Sequence, residues 1–370
     1  MTTSRFRIAD NNFAELITSS ITYSSAASSF PGANVVNKFR SKVWMPNGYF
    51  NITASNRNIF MNDGSDKTAQ IAIAEYTSPS TLATAMAAAL NVVGSNWSVS
   101  YSSTTYKFTI SNTGSVTLRL SATTNAAWDD VGFTGSADRV GLTFLADVQR
   151  NHTEEFAVFD LTYQVPITFF ACIGPLDEDF SISSDATIKI QANNMDIWTA
   201  PPLDQTLTRT DDGLMFFFDD VDDSAYRYWR FYIQDRENPL GNDGLSFGHI
   251  FLGDYVNFGR NISMGFNMKN VDPSTRNESE SGAIFFDTKT KFHQYNGMSV
   301  QYMSKADRDS MRAVFNKLGT TTPFYFSIDP TELISDNQDF TRYVIFDNEP
   351  TFSHIIHDIF SMGMNVREVL

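Results

Sequence analysis

Carboxylates are the residues most available for chemistry in this chain. Asp211 and Asp212, then Asp219, Asp220, Asp222 and Asp223, crowd both sides of the run GLMFFF, and carboxylates in turns can hold calcium. Their spacing lacks the alternating acidic ligands and fixed glycine of an EF-hand loop, so solvated turn residues flanking a strand are the better reading. His354 and His357 stand at i and i+3 in HIIHD, with Asp358 next to them; on a helix the two imidazoles would share a face. No Glu follows His354 as it would in a metalloprotease helix, and no further ligand or base can be named. Neither a metal nor a cofactor is expected. The five histidines are scattered, and no G-x-S-x-G elbow supports a nucleophilic triad. Gly241, Gly244, Gly248 and Gly253 look glycine-rich, but they lack a P-loop Lys and open no helix; turn and close-packing roles in a hairpin explain them better. The single cysteine, Cys172, excludes an intrachain disulfide framework and lies in PITFFACIG, where a thiol behaves as a small buried hydrophobe. No catalytic residue emerges, and the chain is not expected to be an enzyme.

Charge and length narrow the partners. The 370 residues carry a formal net charge of −15, so no basic field exists to attract a phosphate backbone, and nucleic acid is not an expected partner. No stretch approaches the roughly 18 apolar residues needed to cross a bilayer, so membrane insertion is not expected. The opening MTTSRFRIADNNFAELI lacks the apolar region of a secretory leader, and the chain is expected to fold where it is made. Five N-x-S/T sequons, at Asn51, Asn96, Asn151, Asn261 and Asn277, are then chance products of a composition rich in Asn, Ser and Thr.

The elements that must position any site are mainly strands. Phe occurs 32 times, with 14 Tyr and 5 Trp, and aromatic or β-branched runs separated by Gly, Asn, Asp, Ser and Pro clusters indicate many short strands. Residues 63–135 differ in texture. There IAIAEYTSPSTLATAMAAALNVV predicts a strand, a turn and a helix capped by Ser78 with Pro79 in its first turn. Leu82, Met86, Leu90 and Val93 form its apolar stripe, and WSVSYSSTTYKFTISNTGSVTLRLS follows as a meander. Strands resume from about Leu142 and run into YRYWRFYI. A period of two sets Arg227, Trp229, Phe231 and Ile233 on one face and Tyr226, Tyr228, Arg230 and Tyr232 on the other. The Trp face is the better core face, and the Tyr/Arg face lies under a loop or open to a partner. The last hundred or so residues read as further strands around one helix, KADRDSMRAVFNKLG, that Gly319 stops. HIIHD and its surroundings read as a strand, with a helical first half left open.

YRYWRFYIQDRENPLGNDGLSFGHIFLG resembles the late hairpin of discoidin-like, galactose-binding-like jelly rolls, while ITYSSAASSFPGANV and KVWMPNGYF are similar to the first strands of that fold and FAVFDLTYQVPITFFACIG to its central strand. The likeness covers Ile21 to about Gly259 and is interrupted from Asp63 to Gly135. The interruption resembles a segment recurrent in virion proteins of tailed bacteriophages, on Tyr76, Thr77, Leu82, Ala83, Ala89, Leu90, Asn91, Gly132 and Phe133, with the Tyr-to-Leu gap one or two residues off the usual spacing. The C-terminal MGMNVREVL is similar to the final strand of several phage tail and baseplate proteins. The resemblance implies a jelly-roll β-sandwich over residues 1–62 and 136–260, an inserted α/β module over 63–135, and a C-terminal β-rich (α+β) domain over 261–370. It implies a structural component of a phage tail, at the distal end or baseplate, assembled in the bacterial host cytoplasm as a symmetric homo-oligomer beside other virion tail proteins. Tyr226, Tyr228, Arg230 and Tyr232 are the candidate partner surface. The alternative is a carbohydrate- or receptor-binding module that recognises host surface polysaccharide through Asp235, Arg236, Asn238, Asn242 and Asp243, although that loop carries no aromatic platform.

Overall fold

The computed structural model describes residues 5–46, 48–150, 152, 154–175, 182–209, 213–218, 225–236, 245–278, 284–329 and 341–369, and of 16–19 only the backbone. The chain is mainly β, with two α-helices among the described residues. β1 (Arg7–Asn12), β2 (Ile21–Tyr23) and β3 (Phe50–Ile52) come first, with 3-10 turns at Phe13–Ser20 and Gly32–Val36. β4 (Asn58–Asn62), β5 (Asp66–Gln70), β6 (Ala74–Tyr76), α1 (Pro79–Val93), β7 (Trp97–Ser102), β8 (Lys107–Leu118) and β9 (Arg139–Leu145) follow. Next are β10 (Glu155–Val165), β11 (Phe169–Ile173), β12 (Thr187–Asn193), β13 (Leu203–Leu207), β14 (Gly213–Phe217), β15 (Tyr226–Gln234) and β16 (His249–Asn257). The remainder is β17 (Asn267–Val271), β18 (Thr275–Glu278), β19 (Ile284–Asp287), β20 (Phe292–Ser304), α2 (Lys305–Leu318), β21 (Phe324–Ser327), β22 (Thr341–Phe346), β23 (Thr351–Ile356) and β24 (Ile359–Glu368).

Two antiparallel sheets face each other to make the sandwich. One is the five-stranded sheet β13-β12-β15-β10-β2, and the other is the β14-β11-β16 end of a ten-stranded sheet. Strand alternation supplies the core between them: Ala157, Phe159, Ile188, Ile190, Trp229 and Phe231 meet Phe170, Cys172, Leu214, Ile250 and Leu252, all buried. The ten-stranded sheet does not stop there. β1 pairs with β16 on one side and β21 on the other, so the sheet runs on through β21, β22, β24, β20 and β17. A second core beneath that far end joins Met298, Val300, Val344, Met362 and Met364 to Met311 and Val314 of α2.

The middle of the chain builds its own core. Ser78 caps α1 by accepting from the Thr81 N–H at 3.3 Å, and Pro79 occupies the first turn. Leu82, Met86 and Leu90 share one buried core with Ile59 and Met61 of β4, Trp97 of β7, and Phe108 and Ile110 of β8. Members of this core run from Phe50 to Ala146, so it enlists β3, β4 and β9 from outside residues 63–135. In the C-terminal segment HIIHD forms the end of β23 and a turn into β24, not a helix. The φ of Gly319, 57°, explains why glycine follows α2.

Candidate interaction site

The outer face of the five-stranded sheet is set by register. Opposite Tyr228 lie Asp160 and Asn193, opposite Arg230 lie Val158 and Gln191, and opposite Tyr232 lie Phe156 and Lys189. Rows of polar and aromatic side chains, with Val158 among them, therefore cross three strands on the face that turns away from the core. Tyr232 donates to Glu154 Oε2 at 3.0 Å, and burial, reinforced by Glu154, pushes its phenol pKa above the usual range. Arg230 stands between them, half-buried, with its Nε donating to Gln191 Oε1 at 2.8 Å. Its guanidinium carbon lies 4.8, 5.1 and 5.5 Å from the rings of Tyr232, Trp198 and Phe156. Burial lowers its pKa from the ordinary arginine value.

Of the four residues expected on this face, Tyr228, Arg230 and Tyr232 share it and Tyr226 does not. Tyr226 is buried in the sandwich core, with its ring edge-on to Trp229 at 6.0 Å. Arg227, expected on the core face, instead forms a two-pronged ion pair with Asp160 at 2.6 and 2.8 Å. The cause lies in the neighbouring strand: the β10 register shifts between Asp160 and Val165, where Thr162 adopts a φ of 66°. Simple alternation therefore fails at the first two residues of β15. The hydrogen bond from Arg227 holds the Asp160 carboxyl below the usual carboxylate range.

The loop after β15 is engaged by its own chain where it is described. Asp235 is buried and accepts from the Ser183 N–H at 2.9 Å and from the Ser183 hydroxyl. Arg236 reaches the core built around α1, pairing with Asp129 at 2.6 Å and Asp130 at 3.4 Å. Both side chains are thus held by groups distant in the chain. Asn238, Asn242 and Asp243 lie outside the described residues, as do Asp211, Asp212, Asp219, Asp220, Asp222 and Asp223. His354 stacks on Phe360 at 4.9 Å, and His357 is 94% exposed with Asp358 at 3.1 Å. Cys172 is buried, and burial raises its thiol pKa well above the ordinary value.

Several features escape sequence reading because their partners are distant in the chain. Glu155 is fully buried and accepts from the hydroxyls of Ser24 and Ser25. Backbone N–H groups of Gly48 and Tyr49 also serve it, yet burial outweighs all four donors and pushes its carboxyl up to about 8. Ser24 and Ser25 line an open cleft of about 440 Å³ together with Thr77 and Ser78, where α1 begins. Among the described residues β18 and β19 pair only with each other, and Ile284, Phe285 and Phe286 on β19 are 43%, 61% and 71% exposed.

No protein-family model and no curated protein matches this chain. Among solved structures it is similar to a fragment provisionally assigned as a chitobiase from Bacteroides thetaiotaomicron, at 18% identity over 27% of this chain and 59% of the other, with a TM-score of 0.21. It is also similar to an F-lectin (fucolectin) from striped bass (Morone saxatilis) serum, at 11% identity over 42% of this chain and 58% of the other, with a TM-score of 0.22. The chain thus spans less than two thirds of the length of either structure.

Proposed function

We propose that this chain works by binding, as a structural component of a multiprotein particle, and that the particle is the tail or baseplate of a bacteriophage. The sequence resemblance is what supports this choice of particle, and the β18–β19 hairpin supports the mode of action. A two-stranded hairpin is marginal in water without a third strand or a packed face, yet this one keeps Phe285 and Phe286 on opposite faces, both largely exposed. Large apolar side chains held out in this way belong in an interface. Val140 and Leu142 on β9, 75% and 52% exposed, add a second apolar row. Replacing Phe285 and Phe286 by Ser is expected to leave the fold intact and to block incorporation into tails. Antibody labelling of purified tailed particles tests the placement directly: decoration at the distal end supports it, and unlabelled particles overturn it.

A second reading, a carbohydrate-binding module, draws on Trp198. That ring is half-exposed with the Arg230 guanidinium 5.1 Å from its centre, which supplies the aromatic platform missing from the loop after β15. Binding of host polysaccharide that Trp198→Ala abolishes would favour it.

A further inference from the structure

Arg230 differs from its basic neighbours. Lys189 Nζ lies 2.9 Å from Asp204, Arg227 holds Asp160 with two nitrogens, and Arg236 lies 2.6 Å from Asp129. In a chain with 42 Asp and Glu against 27 Lys and Arg, a half-buried guanidinium would ordinarily find a carboxylate. Among the described residues, Arg230 has none within ion-pair distance, and Gln191 is its one hydrogen-bond acceptor. The nearest acidic groups are already engaged: Glu154 accepts from Tyr232, and Asp204 accepts from Lys189 and Gln191. Three rings hold the guanidinium in place, and Gln191 occupies its Nε–H. What remains is the end-on pair of amino groups, whose geometry matches the two oxygens of a carboxylate.

We propose that Arg230 is a receptor for a carboxylate, taken end-on by Nη1 and Nη2, with Trp198 and Tyr232 flanking the incoming group. The aromatic cup reduces the water that a bound anion must displace and fixes the plane of the fork. Glu154 and Asp204 oppose the anion electrostatically and limit the site to weak binding of a single carboxylate rather than a dense polyanion. The group arrives either on an acidic sugar or on the acidic side chain of a neighbouring protein, and the same two hydrogen bonds serve both. The site rests on the surroundings of Arg230 alone, so it stands or falls apart from assembly through the β18–β19 hairpin.

The test uses the full chain, labelled with nitrogen-15, and follows the Arg230 Nε–H resonance, assigned by its loss in Arg230→Gln. Methyl β-D-glucuronide and the amide of N-acetylglutamate are titrated beside their neutral counterparts, methyl β-D-glucoside and the amide of N-acetylglutamine. The expected result is a saturable shift with one or both carboxylates and none with the neutral compounds. Stronger binding of the glucuronide identifies a sugar source, and stronger binding of the glutamate derivative a protein source. Arg230→Lys should weaken binding about tenfold, because an ammonium lacks the planar fork. Asp204→Asn, which keeps Arg230 and its rings, should tighten it. Equal shifts with neutral and acidic probes, no shift with either carboxylate, or unchanged affinity in Asp204→Asn would overturn the proposal.

Discussion

Trp229 and Tyr228 are adjacent in sequence and opposite in environment. Trp229 is 1% exposed and stands edge-on to Phe218 and Tyr226, so Trp229→Ala is expected to cost about 3–5 kcal/mol of unfolding free energy. Tyr228 lies on the outer face against Arg227 at 4.9 Å, and Tyr228→Ala should cost about 1 kcal/mol. Urea unfolding of both variants checks the contrast, and equal losses would mean that both faces of β15 are core. Glu155 adds a pH dependence whose sign follows from burial. Its folded pKa, about 8, lies above the ordinary 4.5, so the folded chain holds a proton that the unfolded chain releases. Stability from this group is complete below pH 4.5 and is lost as pH rises toward 8. His152 acts in the opposite sense, because burial, and then Arg236 and Arg150, hold it at about 3. Its contribution is complete above 6.5 and is lost as pH falls toward 3. Glu155→Gln should therefore flatten the decline between pH 5 and 8, measured by urea unfolding at each pH; a decline as steep as that of the parent chain refutes the assignment. The Glu155 site is not legible in the sequence, since Ser24, Ser25 and Gly48 reach it from more than a hundred residues away.

At the scale of elements, what could be read in advance was local. α1 announces itself because its cap, its proline and its apolar stripe all lie within one short stretch, and the fold keeps Ser78, Pro79, Leu82, Met86 and Leu90 in those roles. Ser78→Ala should cost about 1 kcal/mol by leaving the Thr81 N–H without its cap. Thermal melting measures it, and an unchanged midpoint would mean that the packing of Leu82 and Met86 holds the first turn unaided. Legibility fails where a strand depends on its neighbour. Alternation places Trp229, Phe231 and Ile233 in the core correctly, but it cannot foresee that a register shift in β10 turns Tyr226 inward. Nor does IFFD show whether another sheet covers it, because an exposed strand and a buried one carry the same apolar residues. The loop after β15 looked like a set of free hydrogen-bonding groups for the same reason: Ser183 and Asp129, which engage Asp235 and Arg236, are far away in sequence.

At the scale of the whole molecule, one short strand joins two cores. β1 lies between β16 and β21, with Phe6 just before it stacked on Phe258 at 4.3 Å. Ile8 enters the core under α2, while Asn12 donates to the Ile250 carbonyl and accepts from the Leu252 N–H of β16 at 3.1 and 3.0 Å. This seam tolerates no side chain at Gly253, where a Cβ would run into the Asn11 carbonyl oxygen. Backbone cannot step aside as a flexible side chain can, so Gly253→Ala must move β1 away from β16. The displacement would loosen Ile8 in one core and the Asn12 bonds that brace the other. Gly253→Ala is therefore expected to cost about 2–4 kcal/mol and to disturb the C-terminal region as well as the sandwich, read as lost hydrogen-exchange protection in both β16 and β21. Gly114→Ala on β8 is the matched control, since the nearest atom to its Cβ would be Asn112 Oδ1 at 3.7 Å, an ordinary contact. Protection lost in β16 alone, with β21 unchanged, would show that the continuous sheet does not couple the two cores, and that β1 is only an edge shared by independent units.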